Sequence, residues 1–243
     1  MSTLSTYKNK IIDENFFRPR WYSVFLNPYF INRYSLYRVI RNLAATLSPH
    51  TKILDVGCGK KPYKHLFVDS EYIGIDIQGG GHADTEKTVD AYYDGTHIPF
   101  KNDTFDLLIC TQVLEHAIDA EALIAECARV LKKDGRLFLT MPFIYPEHEV
   151  PYDFRRFTRY GHMHICEKGG LRIENIIKTT GLCGTFAQLL CVTLFEAIPF
   201  RSTIFKTLLT LVIFAPIQVI GLFFDFITRR GGPTMDYVII ARK

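Results

Sequence analysis

Two glycines follow a short apolar run in the first third of the chain, and a carboxylate lies near the end of the next such run. Residues 53–56 (ILDV) lead into Gly57 and Gly59, and residues 72–77 (YIGIDI) carry Asp76 near their end. Glycine lets a backbone approach a ligand closely because no Cβ intervenes, and a carboxylate at a strand end can accept hydrogen bonds from a ribose diol. The spacing of these residues predicts a site for a nucleoside-containing ligand.

Two alternatives stay open at this turn. Asp55 is a candidate ligand group, but a structural carboxylate satisfied inside the strand explains it equally well. A nicotinamide dinucleotide motif requires a third small residue where this chain has Pro62. Proline suits the first turn of a helix but does not provide the packing that a pyrophosphate needs, so the nicotinamide alternative is disfavoured.

The strands that position these residues are indicated by short apolar runs that alternate with turn residues. Runs rich in Ile, Leu and Val and bounded by Gly, Asp or Pro are typical of buried parallel strands. Six runs are predicted as strands: 53–56, 72–77, 107–110, 136–141, 171–180 and 236–242. The series predicts an open, doubly wound α/β sheet, which binds ligands at the carboxyl ends of its strands.

Two amphipathic helices accompany these strands. Apolar residues recur at helical spacing over residues 36–47, which predicts a helix that ends near Pro49 and caps or flanks the main domain. A second helix is predicted to begin after Asp119 as N-cap and to be closed by Gly135.

Composition limits the classes of function. The 243 residues are 48% hydrophobic and 22% charged, which suits one large α/β domain, or one domain with an insertion, better than two independent domains. The formal charge of +4 is too small and too scattered to indicate a nucleic-acid partner. Six cysteines without metal or disulfide spacing predict free thiols in a reducing compartment, and the N-terminal residues lack a signal-peptide pattern. We therefore expect a cytoplasmic protein.

Four ordered stretches resemble class I S-adenosylmethionine-dependent methyltransferases, particularly the branch with the methyltransferase type 11 domain. They are ILDVGCGKKPY, YIGIDI, YYDGTHIPFKNDTFDLLICTQVLEH and ARVLKKDGRLFLTMPF, and they span most of residues 53–143. The resemblance implies a Rossmann-like, seven-stranded, doubly wound sheet with a reversed last strand. It also implies S-adenosylmethionine as cofactor.

The resemblance further implies that the ends of the first four strands hold this cofactor. The implied cofactor-binding residues are Asp55, Gly57, Gly59, Asp76, Ile77, Asp94, Gly95, Gln112 and Val113. Asp76 would take the ribose hydroxyls, and Asp94 would flank the adenine. The chain departs from the pattern at Lys60, Lys61 and Pro62, where many members have another glycine, which puts the local loop shape in question.

The loop after the fifth predicted strand carries the candidate catalytic residue, His148. Its alternative is a loop histidine that binds or stabilises without accepting a proton. Three residues of the same loop are predicted to contact substrate: Tyr152, Arg155 and Arg156. The guanidinium group of either arginine matches a phosphate or carboxylate of the substrate. Either arginine could equally pair with Asp153. No metal-ligand spacing is visible, so metal-independent catalysis is expected.

An apolar segment separates the last two predicted strands, and residues 207–224 carry no charge. Pro216 is predicted to divide the segment into halves too short to cross a membrane. Three alternatives remain: contact with the membrane interface, a homodimer surface, and an enlarged core. The predicted organisation is an N-terminal helical cap (1–50), a methyltransferase core (51–181), a helical insertion (182–233) and a final core strand (234–243).

These features predict an S-adenosylmethionine-dependent methyltransferase acting on an oxygen of a small-molecule, glycan or lipid-linked acceptor. The alternative is a catalytically silent scaffold that binds the same cofactor and uses its apolar insertion for membrane or partner binding. If the insertion contacts a membrane, the protein belongs at its inner, cytoplasmic face.

Overall fold

The computed structural model describes residues 16–79, 83–199, 202–228 and 232–243. The chain forms two compact units. The core unit comprises the described residues within Thr46–Ile177 and Asp236–Lys243, and the helical unit comprises those within Met1–Ala45 and Lys178–Met235.

The core unit is built on one seven-stranded sheet in the order β3-β2-β1-β4-β5-β7-β6. The strands are β1 (Lys52–Val56), β2 (Glu71–Ile77), β3 (Ala91–Tyr93), β4 (Phe105–Thr111), β5 (Leu131–Pro142), β6 (Arg172–Lys178) and β7 (Asp236–Arg242). The pairs among β1 to β5 are parallel, and β7 pairs antiparallel with β5. The predicted sheet with a reversed last strand is therefore confirmed.

The central strands form because they are apolar on both faces, as a sheet covered on both sides requires. In β1, Ile53, Leu54 and Val56 are fully buried. The neighbouring strand β4 buries Leu108 and Ile109 in the same way. The parallel register brings the carboxyl ends of β1, β2 and β4 to one edge of the sheet.

Two α-helices belong to the described part of the core unit. They follow β4 and β5 and span Ala120–Val130 and Arg159–Lys168, with 3₁₀ turns at Lys64–Leu66 and Asp84–Glu86 between the earlier strands. The Asp119 side chain caps the first helix by accepting from the Ala122 amide at 2.9 Å. Gly135 does not close this helix, contrary to expectation. The helix ends at Val130 and β5 begins at the next residue, so Gly135 lies within the strand, where the β4–β5 register shifts between Phe105 and Leu107.

The helical unit contains helices Phe30–Ala44 (α1), Leu182–Ala197 (α4), Thr203–Leu209 (α5) and Ala215–Thr228 (α6), with a π-turn at Thr210–Phe214; the two core-unit helices are α2 and α3. The prediction that Pro216 divides the apolar segment is wrong. Residues Phe205–Thr228 form one continuous 24-residue helix. The π-turn directly before Pro216 is wider than an α-helical turn, and this gives the proline ring room without ending the helix.

Polar groups lie inside the helical unit. The carboxylate of Asp225 is buried and accepts from the Gly181 and Gly184 amides at 2.8 Å, at the start of α4. A Cβ on Gly184 would stand 2.7 Å from Asp225 Oδ1, so only glycine fits there. Buried Gln188 and Gln218 bind backbone groups at the start of α1. These bonds fix how the helices pack.

Large apolar side chains lie on the outside of the same unit. Phe186, Val212, Ile220, Phe223, Phe226 and Ile227 are all more than half exposed, and Phe226 reaches 85%. Trp21, in the 3₁₀ turn Trp21–Phe25, is 74% exposed. The described part of the helical unit therefore combines a partly polar interior with an apolar exterior.

Candidate active site

The turn after β1 is fixed by two glycines with different surroundings. Gly57 has φ +70°, and a Cβ there would overlap the side chain of Val113. The amides of Gly57 and Cys58 both donate to the Ile75 carbonyl, at 2.8 and 3.0 Å. Gly59 has φ +49°, and a Cβ there would meet no described atom within 4 Å. Gly57 serves packing, whereas Gly59 faces open space.

Asp76 joins the ends of β1 and β2. Its Oδ2 accepts from the Gly59 amide at 2.8 Å, and its Oδ1 accepts from the Ile77 amide at 2.8 Å. The ammonium of Lys87 lies 3.5 Å from Oδ1 and donates to the Ile77 carbonyl at 2.7 Å. Each carboxylate oxygen has a second lone pair, so further donors can still bind. Lys87 carried no signal in the sequence, because it reaches this strand end through a loop.

Asp55 is buried beneath the same turn. Its carboxylate accepts a hydrogen bond from the Tyr72 hydroxyl. Burial raises its pKa to about 7, the negative charge of Asp76 adds to this, and Tyr72 and Lys61 oppose it. The satisfied structural carboxylate that the sequence left open is therefore observed, although a cation brought beside it would still favour its charged form.

The departure at Lys60–Pro62 has a structural explanation. Lys61 is buried, with φ +52°, and its ammonium pairs with Asp90. Its stem crosses β2 at Gly74, where a Cβ would overlap it. The Gly74 amide also donates to Asp90, at 2.7 Å. The lysine thus anchors the loop after β1 to the segment before β3.

Asp94 and Gly95 follow β3, as the resemblance requires. The Asp94 Oδ1 accepts from the Thr96 and His97 amides, at 2.8 and 2.6 Å, and these bonds hold the pKa of the carboxyl below its usual range. The side chain is exposed, so its charged form faces solvent at neutral pH.

Gln112 follows β4 in the left-handed region, with φ +57°, which is uncommon for a residue other than glycine. Its side-chain amide donates to Thr140 Oγ1 at 3.1 Å and to Asp236 Oδ1 at 3.3 Å. The side-chain amide of Gln112 therefore links the end of β4 to β5 and β7. The next residue, Val113, contributes by packing over Gly57.

The loop after β5 folds back onto the segment after β4. The Phe154 amide donates to the Glu115 carbonyl at 2.9 Å, and His116 Nδ1 lies 2.9 Å from the Tyr152 carbonyl oxygen. Arg155 donates to the carbonyls of Ala117 and Ile118. Its guanidinium group is thus engaged in holding the loop.

Arg156 and His148 share Asp153. Arg156 binds both carboxylate oxygens, and this pairing lowers the pKa of Asp153 to about 2 against the effect of its burial. The His148 amide donates to Asp153 Oδ2 at 3.1 Å, and His148 Nδ1 lies 3.2 Å from the same oxygen. The pairing with Asp153 left open for the arginines is observed for Arg156. His148 is partly buried, and that burial lowers its pKa.

Glu115 was not singled out in the sequence, yet it is the most unusual residue near this loop. It is fully buried, and burial raises its pKa well above the ordinary value. Neither of its carboxylate oxygens has a hydrogen-bond partner among the described residues. The apolar neighbours Val113 and Leu114 gave no sign that the glutamate side chain turns inward.

Comparisons with known proteins find related methyltransferase sequences. Residues 54–139 match the family model described as "Methyltransferase domain". The chain is 34% identical over 127 residues to the mitochondrial ubiquinone biosynthesis O-methyltransferase of Bos taurus, covering 41% of this chain and 33% of that protein. It is 32% identical over 114 residues to the uncharacterized methyltransferase YcgJ of Bacillus subtilis, covering 42% and 45%. The chain spans less than half the length of these curated relatives.

Solved structures show the same fold. An S-adenosylmethionine-dependent methyltransferase from Archaeoglobus fulgidus superposes with a TM-score of 0.55 at 17% identity, over 96% of this chain and 99% of that one. The [4+2]-cyclase SpnF gives a TM-score of 0.55 at 17% identity, over 85% and 80%. These likenesses confirm the fold that the resemblance implied. The match to the methyltransferase domain makes S-adenosylmethionine the expected cofactor.

The residues at the strand ends fit that cofactor. S-adenosylmethionine carries a ribose diol, an exocyclic amine and an ammonium, all of which donate hydrogen bonds. Asp76, Asp94 and Asp55 provide carboxylates at the ends of β2, β3 and β1, and the open space at Gly59 leaves the backbone approachable. The assignment of these residues to the parts of the cofactor stays a prediction.

Proposed function

We propose, from the premise that residues 54–139 are a methyltransferase domain, that this protein transfers a methyl group from S-adenosylmethionine to an oxygen atom of its acceptor. The observation that carries the proposal is the joined end of β1 and β2, where Asp76 binds the Gly59 amide beside open space. The O-methyltransferase relatives support oxygen as the atom methylated.

The chain's own residues position the reactants. When bound, the cofactor supplies a methyl group that its sulfonium makes electrophilic. Asp76 is proposed to hold the ribose hydroxyls, Asp94 to flank the adenine, and the backbone at Gly59 to lie along the methionine part. Positioning of this kind provides a large share of a two-substrate rate enhancement, about 7–11 kcal/mol in favourable cases.

His148 is the proposed group that accepts the proton of the acceptor hydroxyl. It stands on the loop after β5, at the edge of the sheet where the strands end, and its Nδ1 lies 3.2 Å from Asp153 Oδ2. Tyr152 is 45% exposed on the same loop and is proposed to contact the acceptor. The guanidinium groups of Arg155 and Arg156 are proposed to shape the loop, because both are engaged in it.

The helical unit supports a membrane-bound setting for this activity. Among the described residues, Phe205–Thr228 is the one helix long and apolar enough to cross a membrane, and only 28% of its most apolar window is buried. Large apolar side chains turned outward suit a lipid environment better than water. We therefore propose that the protein binds the membrane interface and acts on a lipid-linked or membrane-embedded acceptor.

A single crossing does not fit the topology. The insertion leaves the core unit after β6 and returns at β7, and these strands are neighbours in one sheet. Both ends of the insertion therefore lie on the same side of a membrane. The 16-residue helix α4 is about 24 Å long, which is short of a hydrocarbon core of about 30 Å. Helices lying in the interface satisfy both constraints.

The methyl-transfer proposal is tested with purified protein, methyl-labelled S-adenosylmethionine and an extract of cell-envelope material. We expect a product heavier by one methyl group, detected by mass spectrometry, and its loss with Asp76→Ala. Bound cofactor with no labelled product in either soluble or lipid fractions would favour the scaffold alternative instead.

The membrane proposal is tested by flotation with vesicles containing anionic phospholipid. The wild-type protein should float, and Phe223→Ser/Phe226→Ser should stay in the lower fractions. The matched control is Val68→Ser, which removes an exposed apolar residue of the core unit and should still float. Recovery of all wild-type protein in the soluble fraction, or as a dimer that Phe223→Ser/Phe226→Ser dissociates, would overturn it.

A further inference from the structure

Three potential metal ligands meet beside the loop after β5. One ligand atom from each of Glu115, His116 and His148 lies within 4.8 Å of the other two. The imidazole rings of the two histidines are 4.9 Å apart between centroids and nearly perpendicular, at 78°. Three ligand atoms about 2.0–2.2 Å from one tetrahedral ion lie about 3.3–3.6 Å apart, so small side-chain movements would bring these three atoms onto one ion.

Glu115 points to a missing cation. Its side chain is fully buried, and both carboxylate oxygens lack a hydrogen-bond partner among the described residues. The nearest basic nitrogen is His116 Nε2, 3.8 Å from Oε1. A buried carboxylate without partners is costly, and coordination to an ion is one of the few ways in which proteins satisfy it.

One nitrogen of each histidine is left without a partner. His116 Nδ1 is 2.9 Å from the Tyr152 carbonyl oxygen and donates to it, which leaves Nε2 with a free lone pair. A carbonyl partner of this kind orients the ring of a ligating histidine. His116 Nε2 and His148 Nδ1 are both buried and have no hydrogen-bond partner in the described part of the chain. The His148 backbone amide donates to Asp153 Oδ2 at 3.1 Å, and this bond fixes the position of His148 on the loop.

We propose that Glu115, His116 and His148 bind one divalent first-row transition ion, for which Zn²⁺ is the probe. Two imidazoles and one carboxylate are a known catalytic ligand set for zinc, with a fourth position left open. Imidazole suits Zn²⁺ and its neighbours, whereas Mg²⁺ prefers oxygen ligands alone. The sequence did not indicate this site, because His148 joins Glu115 and His116 only through folding of the loop.

The metal site suggests how the acceptor hydroxyl is activated, and this part of the inference rests on the proposed function. An acceptor hydroxyl at the open position would have its pKa lowered by the ion and would lose its proton to solvent water, so that His148 would serve as ligand rather than as the proton acceptor proposed above. Catalysis would then depend on the metal, in contrast to the metal-independent catalysis that the sequence predicts. The existence of the site does not depend on methyl transfer.

The test is isothermal titration of Zn²⁺ into chelator-treated protein, with no cofactor or acceptor present. We expect one ion per chain with a micromolar or tighter dissociation constant. His116→Ala and His148→Ala should each weaken binding at least about 10-fold, and Asp153→Asn should weaken it by about 10-fold, because the Asp153 carboxylate fixes the His148 backbone. Mg²⁺ at millimolar concentration should not compete.

The matched control is His164→Ala, which removes an exposed histidine of α3 and should bind Zn²⁺ like the wild type. Glu115→Gln tests the buried ligand, with circular dichroism to confirm folding; His148→Ala keeps the test valid if that variant does not fold. No stoichiometric Zn²⁺ binding, or equal binding by wild type, His116→Ala and His148→Ala, would overturn the proposal. Zn²⁺ binding without methyl transfer would leave the site standing and count against the proposed function alone.

Discussion

The two halves of the candidate active site differ in how their polar groups are satisfied. On the cofactor side, Asp76 is bonded to Gly59 and Ile77, and Lys61 is paired with Asp90. On the acceptor side, Glu115 and one nitrogen of His116 have no hydrogen-bond partner among the described residues. The first half is complete by itself, whereas the second half has the composition of a site that a ligand completes.

This difference indicates that cofactor binding and activation of the acceptor depend on different groups of residues. A preformed cofactor side accepts its ligand with little rearrangement, which favours affinity. An acceptor side with orphaned polar groups keeps them available for a reacting oxygen or an ion. Variants on the two sides should therefore fail in different assays.

The largest effect is expected for His148→Ala. Turnover should fall about 10²–10⁴-fold, because the acceptor loses the group that activates its hydroxyl. Affinity for S-adenosylhomocysteine, measured by calorimetry, should not change. His164→Ala is the control and should keep full turnover. If His148→Ala lost cofactor binding as well, the two sides would not be separable.

The next effect is a pH dependence that belongs to Asp55. Its pKa of about 7 in the folded protein exceeds its ordinary value of 3.8, so the folded chain binds more protons than the unfolded chain between these values. Stability should therefore fall as pH rises from about 4 to about 7. Asp55→Asn should remove this loss. The difference in the free energy of unfolding between the variant and the wild type should therefore shift in favour of the variant by up to about 4 kcal/mol between pH 4 and pH 8.

The measurement is denaturant unfolding of both proteins, without cofactor, at several pH values. Subtraction of the two curves cancels the contributions of groups that do not interact with Asp55, such as His148; the difference therefore reports Asp55 together with its interaction with Asp76. A constant difference between pH 4 and pH 8 would show that Asp55 is not perturbed by its burial.

The two glycines of the turn give a sharper contrast within the cofactor side. Gly57→Ala should lower the free energy of unfolding by about 3 kcal/mol, since its methyl group overlaps Val113 and its φ is positive. Gly59→Ala should lower it by only about 1 kcal/mol, from φ alone. The Gly59 variant should nevertheless bind S-adenosylhomocysteine about 10-fold or more weakly, because the added methyl group enters the open space.

Thermal unfolding and calorimetry on the two variants check this. Equal losses of stability would mean that Val113 moves aside at no cost. Unchanged affinity in Gly59→Ala would place the cofactor elsewhere.

Asp76→Asn completes the series. Affinity for S-adenosylhomocysteine should fall by about 100-fold, the worth of charge-assisted hydrogen bonds to two hydroxyls. The control is Asp106→Asn, a carboxylate at the opposite end of the sheet that binds the Lys52 amide and Lys132. It should alter stability and leave affinity unchanged.

Much of the fold could be predicted, because local signals agree with the final structure. Each predicted strand is present, and the reversed β7 spans Asp236–Arg242 as expected. Asp119 caps its helix as its residue type indicates. The three-residue β3 was implied only by the resemblance, since a strand of three residues is too short to show an alternating apolar pattern.

The rest depended on contacts between distant residues. Lys61 and Asp90, or His116 and Tyr152, are paired by the fold and not by spacing. The side chains of Glu115 and Asp225 are buried, although acidic residues are ordinarily exposed, so their residue type did not predict their position. The continuous helix through Pro216 needed a π-turn that no residue type signals.

The most direct test of the account is a calorimetric titration of the folded protein with S-adenosylhomocysteine. We predict saturation at one ligand per chain for the wild type and His148→Ala alike, with binding weakened about 100-fold in Asp76→Asn. Absence of binding heat in the wild type, or equal affinity in Asp76→Asn, would contradict the claim that the ends of β1 and β2 hold the cofactor.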